Sequence, residues 1–379
     1  MRARVLWSGL LAATLVVLGA VPASAKVLPP PHSVTEYLVP ANRPSLNRIT
    51  LGPDGNLWFT EGAGRIGQMT PDGAFKQFRT PSFKAGKNSN PLDITTGPDG
   101  NLWYTDFYGR IGRVTTSGEI TEFQIGSPSN QVFFFGITAG PDQAMWFVIN
   151  CCGPTNGMIG RISLSGDSVQ MFPVKQGTAP AVGIISYQNQ LWYTATNLPG
   201  PVDRNLGFIQ RMSTMGVVTG NFQIPTAYPD PSRLTLGRDG DLYFTEQGAV
   251  GANGHQQPTH PALGKIGRIN PSGQIHEFVV PDQDVANDFI ANPAGIATGP
   301  DGDIWFTEYS YQSNVNGQQS GGNMIGRLDP FTGHITLFPL KTAFARADGI
   351  TAGPNGSMYF VEDPNNYAYG AIGRIPVFG

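Results

Sequence analysis

The chain of 379 residues carries little charge, since Asp, Glu, Lys and Arg together make up only 13% of it. A typical soluble domain has about 25%, so the surface must rely largely on uncharged polar side chains and backbone groups. The 24 basic residues are fewer than the 27 acidic ones and form no basic stripe, which excludes a nucleic-acid-binding surface of the ordinary type.

The first segment of the chain predicts export. Arg2 and Arg4 precede an apolar run from Val5 to Val21, and the small residues Ala23-Ser24-Ala25 follow it. This order is typical of a secretory signal peptide spanning residues 1–25, so we expect a secreted, extracytoplasmic mature protein. The alternative is that the segment is kept as a membrane anchor. No later segment is long and apolar enough to span a bilayer.

Beyond the signal, one short phrase recurs seven times. It reads Gly-Pro-Asp-Gly-Asn-Leu-Trp-Phe-Thr at Gly52–Thr60 and returns almost unchanged at Gly97–Thr105 and Gly299–Thr307. A period of this size, roughly 40–50 residues, fits either an array of helical pairs or the blades of a propeller. Each copy is anchored by one aromatic residue: Trp58, Trp103, Trp146, Trp192, Tyr243, Trp305 and Tyr359.

The content of each repeat favours β-structure. The phrase places an Asp-Gly turn inside an apolar, aromatic and Thr-rich stretch, which is typical of a hairpin, and no long 3.6-residue apolar period appears. We therefore predict an all-β, seven-bladed β-propeller with four strands in each blade. In the first unit the predicted strands are Arg48–Leu51, Asn56–Thr60, Gly64–Met69 and Ala74–Arg79.

The two ends of the chain complement each other. The last repeat stops after Ile372–Phe378 without a fourth strand of its own, whereas Ser33-Val34-Thr35-Glu36-Tyr37 resembles the fourth strands of other repeats. We therefore expect the N-terminal strand to complete the last blade and close the ring, which removes an open sheet edge. On this interpretation residues 26–33 are a short leading segment and residues 34–379 form a single domain.

The only two cysteines are adjacent, Cys151-Cys152, in a loop of the third repeat. An oxidising compartment favours a disulfide, and a vicinal bridge between them would form a strained eight-membered ring. Two free thiols or a bridge to another chain are the alternatives.

The repeated phrases resemble those of the virginiamycin B lyase, or streptogramin lyase, family. The resemblance rests on Gly-Pro-Asp-Gly-Asn-Leu-Trp-Phe-Thr, on Ile-Gly-Arg-Val-Thr at Ile111–Thr115 and on Gly-Glu-Ile-Thr-Glu-Phe at Gly118–Phe123, and it covers Ser33 to Phe378. It implies a propeller enzyme that opens a cyclic depsipeptide antibiotic by elimination at its ester, using Mg²⁺ and a catalytic His at one mouth of the central channel.

The sequence departs from the family's pattern at the residues that carry this chemistry. The family's Glu-Pro-His-Gly-Ile corresponds to Arg346-Ala347-Asp348-Gly349-Ile350, so Asp348 replaces the His and Arg346 replaces the Glu. A second family His aligns with Ala294, and the family's last metal-side acid falls at Asp363. The resemblance thus leaves Asp348 as the candidate catalytic residue and Asp363 as the candidate ligand of a Mg²⁺ or Ca²⁺ ion. The alternative for Asp348 is a salt bridge with Arg346.

Residues that recur in most repeats are expected to serve the fold, so we look for function where the repeats differ. The acid after the second strand and the Arg of the third strand recur and are predicted to form caps and ion pairs. The connections Ala195–Gly207, Gln247–Gly264 and Tyr309–Asn323 are unusually long, and all lie on the channel-mouth face of a propeller. The predicted ligand-binding residues at this mouth are Arg233, Tyr309, Tyr311, Arg346, Asp348 and Asp363.

Two further clusters suggest metals. His255 and His260 lie five residues apart in the fifth repeat, where a Zn²⁺ site is one interpretation. Asp282, Asp284 and Asp288 form an oxygen-rich cluster of the kind that Ca²⁺ prefers, although the spacing lacks the features of an EF-hand.

Two functional hypotheses follow. In the first, the protein is a monomeric, exported propeller that binds a small molecule, glycan or peptide at the channel mouth without the family's His-dependent chemistry. In the second, it opens a cyclic ester by means of Asp348 and Asp363 with a divalent metal.

Overall fold

The computed structural model describes residues 34–41, 44–125, 132–151, 157–197, 206–226, 228–247, 263–281, 291–308, 323–342, 345–363 and 369–378. Within these ranges the chain forms seven antiparallel sheets of four strands each, and six of the seven use consecutive strands. This arrangement confirms the predicted seven-bladed propeller.

Each of the first three blades runs from the innermost to the outermost strand. Blade 1 contains β2 (Leu46–Leu51), β3 (Leu57–Glu61), β4 (Arg65–Met69) and β5 (Phe75–Arg79); blade 2 contains β6 (Pro91–Thr96), β7 (Leu102–Asp106), β8 (Arg110–Val114) and β9 (Ile120–Gln124); blade 3 contains β10 (Val132–Ala139), β11 (Met145–Cys151), β12 (Met158–Ile162) and β13 (Val169–Pro173). One helical turn, α1 (Pro81–Lys84), lies between blades 1 and 2.

The next three blades repeat this order, and the seventh borrows its outer strand. Blade 4 contains β14 (Thr178–Tyr187), β15 (Gln190–Asn197), β16 (Gly207–Ser213) and β17 (Val218–Gln223); blade 5 contains β18 (Pro231–Leu236), β19 (Leu242–Glu246), β20 (Lys265–Ile269) and β21 (Ile275–Val279); blade 6 contains β22 (Pro293–Thr298), β23 (Ile304–Glu308), β24 (Met324–Leu328) and β25 (Ile335–Pro339); blade 7 contains β26 (Ala347–Gly353), β27 (Ser357–Glu362), β28 (Ala371–Pro376) and β1 (Thr35–Leu38). A 3₁₀ turn at Pro354–Gly356 joins β26 to β27.

The recurring phrase encodes the tight turn between the first two strands of each blade. In blade 1 the Asp54 carboxylate accepts a hydrogen bond from the backbone N–H of Asn56 (3.2 Å) and from the indole N–H of buried Trp58 (3.1 Å). Gly55 has φ +75°, a conformation that glycine adopts without steric cost. The turn and the core aromatic are therefore held by one carboxylate. The same Asp-to-Trp bond is made by Trp103, Trp146 and Trp305.

The Gly of Ile-Gly-Arg has a packing role on the third strand. A Cβ on Gly67 would lie 2.1 Å from the ring of Phe59, which lies directly opposite on β3. The same close approach occurs at Gly112, Gly160, Gly267, Gly326 and Gly373, each against the aromatic of its own second strand. The absence of a side chain at this Gly therefore leaves room for a large aromatic ring on the neighbouring second strand.

The hydrophobic core is divided into seven clusters, and each lies between two adjacent blades. Between blades 1 and 2, for example, Trp58 and Ile66 pack against Ile94 and Tyr104. This division explains how one propeller can exceed the usual size limit of a single core.

The N-terminal strand closes the ring as predicted. Thr35 pairs with Arg374 and Leu38 with Ala371, so β1 is the antiparallel outer strand of blade 7. Val34 is buried in the cluster between blades 6 and 7, and Val39 is buried in the cluster between blades 7 and 1. No helix in the described part of the chain is long and apolar enough to cross a lipid bilayer.

Some of the recurring acids and arginines form ion pairs, as predicted. Arg65 and Arg110 form ion pairs with Glu61 and Asp106 (2.8 and 3.1 Å), the acids that end the second strands of blades 1 and 2. The third-strand arginines bind carboxylates near the tight turns: Arg161 to Asp142, Arg268 to Asp239 and Asp241, and Arg327 to Asp301 and Asp303.

Candidate functional site at the channel mouth

One face of the propeller is formed by the segments that enter the innermost strands and those that leave the second strands. Backbone hydrogen bonds join the two kinds of segment, from Gly62 N–H to the Ser45 carbonyl (2.8 Å) and from Gln247 N–H to the Asp230 carbonyl (3.2 Å). The long connections that the sequence analysis noted leave from this face. The two kinds of segment therefore share one face, as expected, and this face is called the channel mouth below.

A bulge near the start of the innermost strand recurs in the blades and brings two consecutive residues to the channel. In blade 1 it interrupts the β2–β3 pairing between Leu46 and Ile49, and in blade 7 it interrupts the β26–β27 pairing between Ala347 and Ile350. The first bulge position holds Asn47, Leu92, Phe135, Val182, Ser232, Ala294 and Asp348, and the second holds Arg48, Asp93, Gly136, Gly183, Arg233, Gly295 and Gly349.

In five of the seven blades the Thr of the repeated phrase fixes the bulge against the next blade. The Thr60 hydroxyl donates to the Leu92 carbonyl (2.8 Å) and accepts from Arg48 N–H (3.0 Å). It thus links the bulge of its own blade to that of its neighbour. Equivalent bonds run from Thr105 to Phe135, from Thr194 to Ser232, from Thr245 to Ala294 and from Thr307 to Asp348.

Two ion pairs link the charged residues of these bulges. The Arg233 guanidinium donates to Asp93 Oδ2 (2.7 Å), and these residues belong to blades 5 and 2, so this bond spans the channel. Arg48 binds Asp348, which joins blades 1 and 7. The four side chains are only 13–23% exposed.

These pairs are close enough to influence each other. Burial lowers the pKa of Arg233 and the neighbouring Arg48 guanidinium lowers it further, while Asp93 and Asp348 act in the opposite direction. Asp93 also accepts a hydrogen bond from the backbone N–H of Ile137 in blade 3 (3.1 Å). The channel mouth is therefore crossed by a chain of alternating charges.

Blade 7 contributes a second pair of charged residues, Arg346 and Asp363. Arg346 precedes β26 with φ +43°, in the left-handed region that non-glycine residues rarely adopt. Burial lowers its pKa, and Asp363 and Asp348 raise it. Burial also raises the pKa of Asp363, against the effect of Arg346. Asp363 is thus a carboxyl group that holds its proton more strongly than a free Asp.

The structure brings together four of the predicted site residues, Arg233, Arg346, Asp348 and Asp363. The ion-pair partner of Asp348 is Arg48 and that of Arg233 is Asp93, and neither Arg48 nor Asp93 is among the residues predicted from the sequence. The signal that could have found both is their charge at a position where four of the other blades have Gly.

Other predicted residues fall outside the described part of the chain. These are Tyr309, Tyr311, His255, His260, Asp282, Asp284, Asp288 and Cys152. The backbone of Cys151 ends β11 opposite Val132, but its side chain is likewise outside what the structure describes, so the disulfide stays a prediction.

The described residues fit a divalent cation poorly. Asp348 is already bound by Arg48, Asp363 lies beside Arg346, and no group of three His, Cys, Asp or Glu side chains suited to a metal occurs among the described residues. Hard cations such as Mg²⁺ and Ca²⁺ need several oxygen ligands. The Mg²⁺ or Ca²⁺ site therefore stays a prediction.

Comparison with known proteins identifies a family whose model matches most of the chain. The model of the virginiamycin B lyase family matches residues 22–255 and 259–379. The chain is similar to a solved streptogramin B lyase at 26% identity, over 91% of this chain and 97% of that one, with a TM-score of 0.68. None of the curated proteins compared with the chain matches it.

A second similar structure is virginiamycin B lyase from Staphylococcus aureus, at 27% identity over 92% of this chain and 100% of that one, with a TM-score of 0.68. A catalytically inactive form of that enzyme, with a His replaced by Ala, has been solved with quinupristin and is similar to the same extent.

Proposed function

Because this chain belongs to the virginiamycin B lyase family, we propose that it uses the family's propeller to bind a small molecule at the channel mouth without the His-dependent lyase reaction. The proposal includes export after removal of residues 1–25 and action as a monomer. A glycan or a peptide is the other class of ligand that a polar mouth of this kind could hold.

The observation that carries this proposal is the ion pair between Arg48 and Asp348. Asp348 lies where the family resemblance places the catalytic His. A general base must be free to take a proton from the substrate, whereas the Asp348 carboxylate is already engaged by the guanidinium of Arg48. Asp348 is therefore better suited to shaping the mouth than to abstracting a proton.

The inactive S. aureus enzyme supports the binding half of the proposal. In that protein a His was replaced by Ala, catalysis was lost, and quinupristin is nevertheless present in the structure. Binding by a propeller of this family therefore does not require that His. The family resemblance places Asp348 and Ala294 at the two His positions of this chain. We propose that the chain likewise binds a ligand without catalysing the lyase reaction.

A metal-assisted lyase is the second candidate, and Asp363 favours it. Burial raises the pKa of this carboxyl group, and acids with raised pKa values often serve in proton transfer. In this version Asp348 and Asp363 would act together with a divalent metal on a cyclic ester or lactone.

The two candidates are separated by a turnover assay. Purified protein lacking residues 1–25 is incubated with virginiamycin B or quinupristin, with and without Mg²⁺, and ring opening is followed by mass spectrometry. We expect no opening with either compound, and metal analysis of the purified protein should find no stoichiometric divalent ion. Mg²⁺-dependent opening that is lost in Asp348→Asn would contradict the proposal and establish the second candidate.

Binding is measured separately, by calorimetry with the same two compounds. We expect any binding to persist in EDTA, because the proposed site needs no metal. A ligand footprint on the tight-turn face, mapped by hydrogen exchange, would show that the channel mouth is the wrong location.

A further inference from the structure

The turn that follows the second strand differs sharply between blades 1 and 2. In blade 1 it reads Gly62-Ala63-Gly64, and in blade 2 it reads Phe107-Tyr108-Gly109. Both turns join strands in the same register, since Glu61 pairs with Arg65 and Asp106 with Arg110. The third residue has φ +69° in one and +74° in the other. The fold therefore makes this turn without any aromatic side chain.

The two aromatics of blade 2 join a third from blade 3. The ring of Phe107 is stacked on that of Phe133 with centroids 4.3 Å apart and an interplanar angle of 28°. Phe107 also makes an edge contact with Tyr108 at 5.6 Å. Tyr108 is 40% exposed, and none of the three rings belongs to the seven core clusters between the described blades. These rings thus form a surface cluster beside the core.

The backbone holds this aromatic cluster in place. Phe107 N–H donates to the Asn90 carbonyl (2.9 Å), and Gly109 N–H donates to the Asp106 carbonyl (3.1 Å). Tyr108 N–H donates to Asp106 Oδ1 (2.8 Å). Aromatic side chains on a fixed backbone lose little conformational entropy when a ligand binds them.

The aromatic cluster lies at the channel mouth. The turn at Phe107 is bonded to Asn90, which directly precedes β6, and β6 carries Asp93, the residue that binds Arg233 across the channel. One side of the mouth therefore presents aromatic rings, whereas the ion pairs supply charge nearby. A molecule that carries an aromatic ring and a polar or anionic group would complement both.

We propose that Phe107, Tyr108 and Phe133 form a subsite for an aromatic ring of the ligand. The subsite rests on the proposed function, because it assumes that a small molecule enters this mouth. Aromatic rings favour offset or edge-to-face contacts with one another, and the exposed side of Tyr108 offers such a surface. The Tyr108 hydroxyl is the one hydrogen-bonding group on these three side chains, which favours an aromatic ring over a sugar ring with many hydroxyls.

The test uses benzyl alcohol and phenylacetate as probes and saturation-transfer NMR as the readout. The key variant is Phe107→Gly with Tyr108→Ala, which gives this turn the sequence of blade 1. Phe331→Ser is the matched control, since Phe331 is 69% exposed on the opposite face, in the turn between β24 and β25. We expect saturation transfer to the ring protons of both probes with the native protein and the control, and a loss of roughly fivefold in the double variant.

Circular dichroism and thermal unfolding establish that the double variant is folded, and Tyr108→Ala alone replaces it if it is not. Equal transfer in the native and variant proteins would overturn the subsite, as would stronger transfer to methyl β-glucopyranoside than to either aromatic probe. Ring opening of quinupristin would contradict the proposed function but would leave this comparison intact, so the two failures can be told apart.

Discussion

A buried carboxyl group has two different environments in this propeller, and the residue opposite it on the third strand decides between them. Glu61 lies opposite Arg65 and forms an ion pair with it. Glu362, at the equivalent position in blade 7, lies opposite Ala371, and both of its buried oxygens lack a hydrogen-bond partner among the described residues. Burial, with a smaller contribution from Glu36 on the closing strand, raises the pKa of Glu362 to about 8.

Glu246 in blade 5 shows that a basic residue opposite the acid is not sufficient to form the ion pair. It lies opposite Lys265, but the ammonium group of Lys265 binds Glu277 on the outer strand (3.2 Å). Burial and the neighbouring Glu277 raise the pKa of Glu246 to about 9. Blades 5 and 7 thus each contain a glutamic acid whose pKa is raised by burial.

The first prediction concerns pH. The pKa of Glu362 is 4.5 in an unstructured chain and about 8 in the fold, so the folded state binds more protons between these values. The free energy of unfolding should therefore fall as the pH rises through this window. Proton linkage gives a total decrease on the order of a few kcal/mol. In urea unfolding followed across the window, Glu362→Gln should show a flatter profile than the native protein.

Ala371→Arg provides a matched comparison, because it recreates the pairing of blade 1 at the same register position. It should also flatten the profile, by favouring the charged form of Glu362. Parallel profiles for the native protein and Glu362→Gln would show that this residue does not titrate in the window.

The second prediction concerns the ion pair across the channel. Asp93→Asn leaves the largely buried Arg233 without its carboxylate, and removing one member of a buried pair costs about 3 kcal/mol or more. In Asp93→Asn with Arg233→Met the uncompensated charge is gone, so much of the loss should be recovered. A double-mutant cycle on unfolding free energies should give a coupling of roughly 1–3 kcal/mol. Simple additivity would mean that the two residues do not interact in solution.

At the scale of the strand, each repeated residue has one contact that explains it. The Asp of the phrase holds the turn and the indole, the Thr joins adjacent bulges, and the Gly of the third strand makes room for a ring. This is why strand positions could be predicted from the sequence to within two residues in blade 1. Arg48–Leu51 was expected where the structure has Leu46–Leu51, and Gly64–Met69 where it has Arg65–Met69.

The candidate site could be predicted only in part, for a physical reason. Arg346, Asp348 and Asp363 could be predicted from the family resemblance, but the pairing of Asp348 with Arg48 depends on how the ring closes between blades 7 and 1. The bond from Arg233 to Asp93 joins residues 140 positions apart. A repeat pattern describes contacts within a blade and between neighbours, and it contains no information on which charges meet across the channel.

The third prediction concerns the packing of Gly67 on β4 against the ring of Phe59 on β3. Gly67→Ala places a methyl group about where the Phe59 ring lies, with a separation of 2.1 Å before any relaxation. Overpacking of this kind typically costs about 1–3 kcal/mol, which thermal unfolding would detect. Replacing the ring by a smaller side chain, in the double variant Gly67→Ala with Phe59→Leu, should restore part of the lost stability. If Gly67→Ala is as stable as the native protein, the neighbouring residues of the blade must shift to accommodate the methyl group.

At the scale of the whole molecule, the ring depends on one strand from the other end of the chain. β1 pairs with β28 over four residues, and the residues flanking it, Val34 and Val39, are 4% and 3% exposed in two different core clusters. The strand therefore contributes to the interfaces on both sides of blade 7, and the Glu36 carboxylate also accepts a hydrogen bond from Thr342 of the segment leading into blade 7 (2.8 Å).

The last prediction tests this closure by truncation. In protein lacking residues 1–25, further deletion of residues 26–40 should lower the stability by several kcal/mol, because it exposes the edge of β28 and removes two buried valines worth about 1.5–3 kcal/mol each. Deleting only residues 26–33 keeps β1 and both valines, so this control should unfold at the native temperature. Calorimetric unfolding of the two truncations gives the comparison directly. If both unfold like the native protein, the N-terminal strand is dispensable and the ring is held by its seven interblade cores alone.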